Sequence, residues 1–287
     1  MRIDEALAEA AGRLRSSSDS PRLDAELLLA QALDVSRTYF AAHPEDVLDD
    51  DAVARYFAAI ERRGRGVPLA YITGVKEFWS LELMVTPETL VPRPETELLV
   101  EIALRLLPRR AECRVLDLGT GSGAIALALA SERPGWVFTA TDSSEAALAV
   151  ARENARQLGL PNVTFLRGDW AEPVAGKTFD LIVSNPPYVR ADDPALDALR
   201  HEPSLALTPG NDALAAVRDL ARCCSPLLPP GGPLLLEHGI DQRQEVADVL
   251  AYHGWTGIES FNDLSGRPRA TLARRGTNPD RSTEGPS

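Results

Sequence analysis

Short apolar segments alternate with helical patterns from Leu107 onward, and this alternation restricts the fold of the 287-residue chain more than any other feature. Helical patterns such as Ser144–Leu158 and Ala213–Leu220 separate most of the apolar segments. This order is typical of an α/β fold with a doubly wound, largely parallel sheet. The segments predicted to form parallel strands are Arg114–Leu118, Val137–Thr141, Val163–Arg167, Phe179–Ser184 and Leu234–Glu237.

Two further predicted strands, Thr256–Phe261 and Arg269–Ala273, follow a predicted helix over Gln242–Tyr252. A short stretch separates them, which suits antiparallel neighbours, because parallel neighbours need a long crossover. We therefore expect an antiparallel pair at the end of a seven-stranded sheet.

Residues 1–67 are predicted to form a helical bundle, because apolar residues recur at helical spacing in three segments. The first begins near Ile3, and the third runs from about Asp50 to Arg63. The second follows Ser20 as N-cap and has Pro21 at its first position. Its expected inner face consists of Leu23, Leu27, Ala30 and Leu33.

Residues 68–92 are rich in aromatic and β-favouring residues interrupted by glycine and proline, and we predict a hairpin connector there. The α/β domain is expected over 93–275, beginning with a helix that has Pro94 near its N-terminus. Residues 276–287 are polar and are expected to be a disordered tail.

A formal net charge of −12 argues against binding to a nucleic-acid backbone, because proteins that do so carry basic faces. The three cysteines lack metal-ligand spacing, so no metal site is predicted. No apolar run approaches the roughly 20 residues of a membrane span, and no leader peptide is recognisable. We expect a cytoplasmic monomer with neither nucleic-acid nor membrane partners.

The segment Val115–Gly123 joins the first strand of the sheet to the following helix through three glycines. Glycines let a backbone turn sharply and approach a ligand, and a helix N-terminus offers unpaired N–H groups. However, Gly119, Gly121 and Ala124 also have the spacing of dinucleotide-binding folds. This loop alone therefore fits either a nicotinamide cofactor or a nucleoside cofactor.

Acidic residues at the ends of three successive strands favour S-adenosylmethionine. Asp117 lies in the turn, where a carboxylate would repel a pyrophosphate but suit ammonium and sulfonium groups. Asp142 ends the second strand, where it can accept from both ribose hydroxyls. Asp169 and Trp170 end the third, where they can bind the adenine amino group and ring. Because parallel strands end in one crevice, we expect these residues close together.

The tetrapeptide Asn185–Tyr188 follows the fourth predicted strand. Its two prolines remove N–H donors, so the carbonyls of Asn185 and Pro186 are left as acceptors. The Asn185 amide and the Tyr188 ring stand beside them in the sequence. This segment is predicted to bind a planar group that carries an NH2.

With these features the chain resembles class I S-adenosylmethionine-dependent methyltransferases, and among them the release factor glutamine methyltransferases of the PrmC/HemK family. The resemblance covers nearly the whole chain. The motifs that carry it are Pro68–Gly74, Glu77–Trp79, Thr86–Glu97, Asp117–Gly123, Asn185–Tyr188, Glu202–Pro203 and Leu235–Gly239.

The resemblance implies a Rossmann-like methyltransferase sheet and a protein substrate. The implied reaction methylates the side-chain amide nitrogen (N5) of the glutamine in the Gly-Gly-Gln motif of class I peptide chain release factors. It also implies that the N-terminal helical domain helps to dock that protein.

The predicted site has a cofactor part and a substrate part. The residues expected to bind the cofactor are Asp117, Gly119, Thr120, Gly121, Ser122, Gly123, Asp142, Asp169, Trp170 and Asn185. Those expected to bind the substrate are Asn185, Pro186, Pro187 and Tyr188, and Asn185, Pro186 and Tyr188 are the predicted catalytic residues.

In the predicted mechanism, the Asn185 side-chain oxygen and the Pro186 carbonyl each accept one N–H of the glutamine amide, and Tyr188 packs on the amide plane. Asn185 cannot act as a base, so the proton is expected to leave to water after methyl transfer. Glu202 is interpreted either as part of a substrate loop or as half of a structural salt bridge. Three of the four histidines are interpreted as structural or exposed: His201, His238 and His253.

Three other functions remain open from the residues alone. The nearest is an adenine amino-methyltransferase acting on DNA or RNA, since an exocyclic amine is also planar and conjugated. The acidic charge of the chain disfavours it. The others are a non-catalytic module that binds S-adenosylmethionine and a protein, and a nicotinamide-dependent oxidoreductase.

Overall fold

The computed structural model describes residues 1–108 and 112–277, which divide into two compact units, Met1–Val75 and Lys76–Ser287. Residues 278–287, most of the tail predicted to be disordered, lie outside the described residues. No helix in the described ranges is long and apolar enough to cross a membrane.

The first unit is helical, as predicted. Its helices are α1 (Ile3–Leu14), α2 (Pro21–Leu33), α3 (Thr38–Ala42), α4 (Asp50–Gly64) and α5 (Leu69–Thr73). Side chains from α1, α2 and α4 form a common apolar core, in which Leu7, Leu28 and Tyr56 are buried. The core is therefore built from one face of each of these helices.

The inner face of α2 agrees with the prediction only in part, since Ala30 and Leu33 pack against the core as expected. Ala25, Leu28 and Leu29 are buried, whereas Leu23 is exposed. Three consecutive leucines permit either face to turn inward, and the ion pair of buried Asp24 with Arg63 of α4, at 2.7 Å, requires the face that includes Asp24. A charge pair thus accounts for an orientation that the apolar spacing left undecided.

The predicted hairpin segment begins with a helix instead. Pro68 directly precedes α5, where a fixed φ and a missing N–H are tolerated, and Gly74 ends it with a φ of +80°. The hairpin itself is formed by β1 (Val75–Phe78) and β2 (Leu81–Met84). The β-favouring residues before Gly74 therefore form the short helix α5 rather than a strand.

The second unit contains the predicted seven-stranded sheet. Its strands are β3 (Arg114–Leu118), β4 (Val137–Asp142), β5 (Val163–Arg167), β6 (Leu181–Ser184), β7 (Pro233–Glu237), β8 (Trp255–Asn262) and β9 (Pro268–Arg275). They are ordered β5-β4-β3-β6-β7-β9-β8, and β9 runs antiparallel to both its neighbours. The doubly wound sheet and its antiparallel end are thus confirmed.

Helices cover both faces of this sheet. They are α6 (Glu97–Leu106), α7 (Ala124–Glu132), α8 (Glu145–Leu158), α11 (Ala215–Cys224) and α12 (Arg243–Tyr252), while two short helices, α9 (Ala195–Ala198) and α10 (Ser204–Leu207), lie in the segment between β6 and α11. Alternate residues of one strand enter different apolar clusters: Val115 packs in the cluster that contains Leu99 of α6, and Leu116 in the cluster that contains Leu220 of α11. Burial on both faces explains why the inner strands β6 and β7 are nearly continuous apolar runs.

The strand order reverses at β3, and this reversal locates the crevice. From β3 the sheet continues through β4 to β5 on one side and through β6 to β7 on the other. Leu118 lies opposite both Thr141 and Ser184, so the carboxyl ends of these three strands are level. In such sheets ligands bind at this edge, beside the reversal.

Candidate active site

The loop after β3 is fixed against the end of β4. The N–H groups of Gly119 and Thr120 donate to the carbonyl of Thr141 at 2.9 and 3.0 Å. Gly121 has a φ of +57°, which favours glycine, and a Cβ built there would meet no heavy atom within 4 Å. The loop thus presents a rigid backbone with open space beside Gly121, which is where a ligand could approach.

Asp142 joins this loop to the next segment through both carboxylate oxygens. Oδ2 accepts from the N–H of Gly121 at 2.9 Å, and Oδ1 accepts from the N–H of Ser144 at 2.9 Å. Each oxygen retains a second lone pair, so the carboxylate can still accept from two hydroxyl groups. Two backbone donors orient the carboxylate before any ligand binds.

Asp117 is fully buried at the end of β3. Its Oδ2 accepts from Thr120 Oγ1 at 2.6 Å and from the Ala126 N–H at 3.3 Å. Among the described residues, Oδ1 has no hydrogen-bond partner. Burial raises the pKa of Asp117 to about 7. A positively charged ligand group nearby would favour the carboxylate form, which fits the ammonium and sulfonium of S-adenosylmethionine.

The end of β5 reaches the same loop through Trp170. Its ring carbon Cζ3 lies 3.5 Å from the position that a Cβ on Gly119 would occupy, and its carbonyl accepts from Thr141 Oγ1 at 2.9 Å. Asp169 directly before it is exposed. Trp170 has a φ of +41°, an unusual value for a non-glycine residue, and such backbone strain is concentrated at functional sites.

Asn185 and Pro186 follow β6 on the other side of the reversal. The Asn185 Nδ2 group donates to Thr96 Oγ1 at 3.2 Å, which turns the side-chain oxygen the other way. Within residues 1–108 and 112–277, no group donates to that oxygen or to the Pro186 carbonyl. Both predicted acceptors therefore have free lone pairs.

A buried acid, Glu237, lies at the end of β7 and contacts the Asn185–Tyr188 segment. Its Oε2 accepts from Thr96 Oγ1 at 2.7 Å and its Oε1 from the Tyr188 hydroxyl at 3.2 Å. Burial raises the pKa of Glu237 to about 7 and also raises the pKa of Tyr188, so that phenol stays protonated. Neither Thr96 nor Glu237 is among the residues predicted for the site. The signal for Glu237 is the one used for Asp142, an acid that ends an apolar strand.

Glu202 is buried; it forms an ion pair with the half-buried Arg93 and accepts from the Val91 N–H at 3.1 Å. Of its two interpretations, the salt bridge is the one that the structure contains. It ties the segment before the Pro94 turn to the segment after Tyr188.

His238 is buried between Thr271 Oγ1, at 3.0 Å, and the Gly239 carbonyl, at 2.8 Å, and burial lowers its pKa.

Two family models match parts of the chain: the PrmC N-terminal domain over residues 5–74 and the methyltransferase small domain over residues 95–207. A release factor glutamine methyltransferase of Coxiella burnetii is 45% identical over 274 residues, which cover 96% of this chain and 99% of that protein. The Escherichia coli K12 protein of the same name is 44% identical, over 93% of this chain and 97% of its own length. This chain belongs to the release factor glutamine methyltransferase family.

The fold is shared more widely than the family. The T. thermophilus 16S rRNA N2 G1207 methyltransferase RsmC, solved in complex with AdoMet and guanosine, is 19% identical with a TM-score of 0.52. That match covers 70% of this chain and 49% of RsmC, and it supports a methyltransferase sheet. The predicted family and fold are therefore confirmed, while the roles of the individual site residues remain predictions.

Proposed function

We propose that this member of the release factor glutamine methyltransferase family methylates the N5 amide nitrogen of the glutamine in the Gly-Gly-Gln motif of class I peptide chain release factors. S-adenosylmethionine is its methyl donor. We further propose that the N-terminal helices help to dock the release factor and that the enzyme acts as a cytoplasmic monomer.

The observation that supports this proposal best is the orientation of Asn185. Its amide donates to Thr96, and its oxygen and the Pro186 carbonyl remain as two acceptors at the edge of the sheet where Asp142 and Gly121 also lie. Two acceptors match the two N–H groups of a primary amide. Such a pair selects an NH2 group and aims its nitrogen.

The residues at the ends of β3, β4 and β5 suit the cofactor. Asp142 would accept from the ribose hydroxyls, Trp170 would pack on adenine, and Asp117 would favour the positive charges. When bound there, S-adenosylmethionine supplies an electrophilic methyl group. The glycine loop gives access to it without side-chain obstruction, as the open space beside Gly121 indicates.

The acceptors also stabilise the charge that develops on the substrate. An amide nitrogen is a weak nucleophile because its lone pair is delocalised into the carbonyl, and it becomes positive as it gains a methyl group. Hydrogen bonds to Asn185 and Pro186 then strengthen, so they stabilise the transition state more than the ground state. Neither acceptor takes the proton, which leaves to water once the nitrogen is methylated.

The test is methyl transfer from labelled S-adenosylmethionine to a purified release factor, with mass spectrometry of the Gly-Gly-Gln peptide. We expect one methyl group on that glutamine, and Asn185→Ala is expected to lower kcat by about 100- to 1000-fold, as does the loss of one transition-state donor or acceptor elsewhere. Cofactor affinity should stay near that of the wild type.

Asn162→Ala is the matched control. Asn162 is also partly buried and makes one side-chain bond, to the Trp136 carbonyl at 3.1 Å, but it precedes β5 at the opposite edge of the sheet. Wild-type turnover by Asn185→Ala would refute the mechanism. Methylation of an adenine-containing oligonucleotide in place of the release factor would instead establish the adenine amino-methyltransferase alternative.

A further inference from the structure

We propose that Glu237 and Thr96 are positioning residues, which keep the Asn185 amide in the one orientation that can bind the substrate. This inference rests on the proposed role of Asn185 as an acceptor. It adds two residues from segments remote in sequence, the turn before α6 and the end of β7, to the substrate part of the site.

A continuous chain of hydrogen bonds links these residues. Asn185 Nδ2 lies 3.2 Å from Thr96 Oγ1, which lies 2.7 Å from Glu237 Oε2, and the second Glu237 oxygen lies 3.2 Å from the Tyr188 hydroxyl. Thr96 and Glu237 are almost completely buried, so water does not compete for these groups. Glu237 thereby bonds both ends of the Asn185–Tyr188 segment, directly at Tyr188 and through Thr96 at Asn185.

The chemistry of a carboxylate sets the direction of this chain. At pH values above its pKa of about 7, Glu237 is ionised and can only accept, so Thr96 must then donate its one hydroxyl hydrogen to it. The Thr96 oxygen can then only accept from Asn185, which fixes the NH2 of the Asn185 amide toward Thr96. The oxygen of that amide must face the other way, where an acceptor is needed for the glutamine NH2.

The opposite orientation is inactive. If the Asn185 amide were rotated by half a turn, its NH2 would face the substrate NH2, and two donors cannot bond each other. An asparagine beside an apolar residue has no preference between the two orientations beyond what the substrate itself imposes. The carboxylate supplies that preference before the substrate arrives, which is preorganisation of the acceptor.

The first experiment replaces Thr96, the middle residue of this chain of hydrogen bonds. Thr96→Val keeps the shape and removes the hydroxyl, so binding the substrate amide leaves the partly buried Asn185 NH2 without a protein partner. An unmade buried hydrogen bond of this kind corresponds to a loss of about tenfold in kcat/KM for the release factor. The dissociation constant of S-adenosylmethionine, measured by calorimetry, should not change. Thr96→Ser restores the hydroxyl and should restore kcat/KM.

Thr271→Val is the control for structural damage. Thr271 is as deeply buried as Thr96, but its hydroxyl bonds His238 rather than the chain to Asn185. We expect it to lower the free energy of unfolding as Thr96→Val does and to leave kcat/KM unchanged. In an Asn185→Ala background, Thr96→Val should cause no further loss, because the group that it orients is gone.

Glu237→Gln provides an independent variant should Thr96→Val fold poorly. Glutamine has the same size, but its amide can donate a hydrogen bond to Thr96, so it no longer fixes the direction of the hydrogen bonds that lead to Asn185. We therefore expect a several-fold loss of kcat/KM. Full activity of both Thr96→Val and Glu237→Gln, alongside an inactive Asn185→Ala, would overturn the inference and leave the proposed function intact. An active Asn185→Ala would refute the acceptor mechanism on which this inference rests, whereas the absence of a methyl group from the Gly-Gly-Gln glutamine would overturn the proposed function itself.

Discussion

Replacement of Asp142 by asparagine tests the cofactor part of the site. The change keeps the size of the side chain but removes its charge and one of its two acceptor oxygens. Those oxygens accept from Gly121 and Ser144 at 2.9 Å each, so one backbone N–H must then face an NH2 group. The proposed contacts with the ribose hydroxyls also lose their charge and one acceptor.

The expected magnitude follows from the hydrogen bonds involved. Hydrogen bonds to charged groups contribute roughly 1.5–3 kcal/mol each, and every 1.4 kcal/mol is about tenfold in affinity. Loss of one such bond to a ribose hydroxyl therefore predicts a dissociation constant for S-adenosylmethionine about 10- to 150-fold higher than in the wild type. The unpaired N–H lowers the free energy of unfolding by about 1–3 kcal/mol as well.

Asp180→Asn separates affinity from stability. The Asp180 carboxylate also accepts from a backbone N–H, that of Arg114 at 2.7 Å, but at the amino end of β3, away from the crevice. We expect Asp180→Asn to lower the free energy of unfolding without changing the dissociation constant of S-adenosylmethionine in titration calorimetry. A dissociation constant within twofold of the wild type in Asp142→Asn would refute the placement of ribose at Asp142. Equal weakening in both variants would show that general destabilisation is the cause.

Two further predictions concern buried acids. Glu202→Gln leaves the half-buried Arg93 without its ionic partner, so we expect a loss of about 1–3 kcal/mol in the free energy of unfolding from urea denaturation. An unchanged midpoint would contradict the ion pair. Burial raises the pKa of Glu237 from 4.5 to about 7. Between these two pH values the folded state therefore binds more protons than the unfolded state. As pH rises from 4.5 to 7, this carboxyl should lower the free energy of unfolding by up to about 3 kcal/mol. Glu237→Gln should remove that part of the pH dependence, while the similar contribution of Asp117 remains in both proteins. If the free energy of unfolding has the same slope against pH in wild type and variant, the raised pKa of Glu237 is refuted.

The sheet, and the convergence at its edge of the residues proposed to bind the cofactor, could be predicted because both depend on local signals. Each parallel strand is a short apolar run, and Asp117, Asp142 and Trp170 follow directly from where such runs end. The carboxyl ends of parallel strands must meet, so sequence positions translate into spatial neighbours. The observed bonds from Asp142 to Gly121 and from Thr141 to the loop agree with that reasoning.

The remaining features depend on partners far away in the sequence. The orientation of α2 depends on the ion pair between Asp24 and Arg63, and hydrophobic spacing contains no information about such a pair. Thr96 looks like an ordinary residue of a helix-starting turn, and its importance appears only when Glu237, 141 residues later, is seen to accept from it. Polar networks between remote segments are thus the part that periodicity does not reveal.

This contrast extends to how the two parts of the site are held together. The cofactor part is made by β3, β4 and β5, which are neighbours in the sheet and successive in the chain, and backbone groups provide most of its bonds. The substrate part needs the turn before α6, the end of β6 and the end of β7 to be in place together, and side-chain hydrogen bonds join the turn to both strand ends. Glu237 pairs across the sheet with Ala270 of β9, so the position of this acid depends on the antiparallel end of the sheet. Loss of the backbone pairing between β7 and β9 should therefore impair orientation of the amide before it impairs binding of the cofactor, whereas a side-chain change that keeps this pairing, such as Thr271→Val, should impair neither.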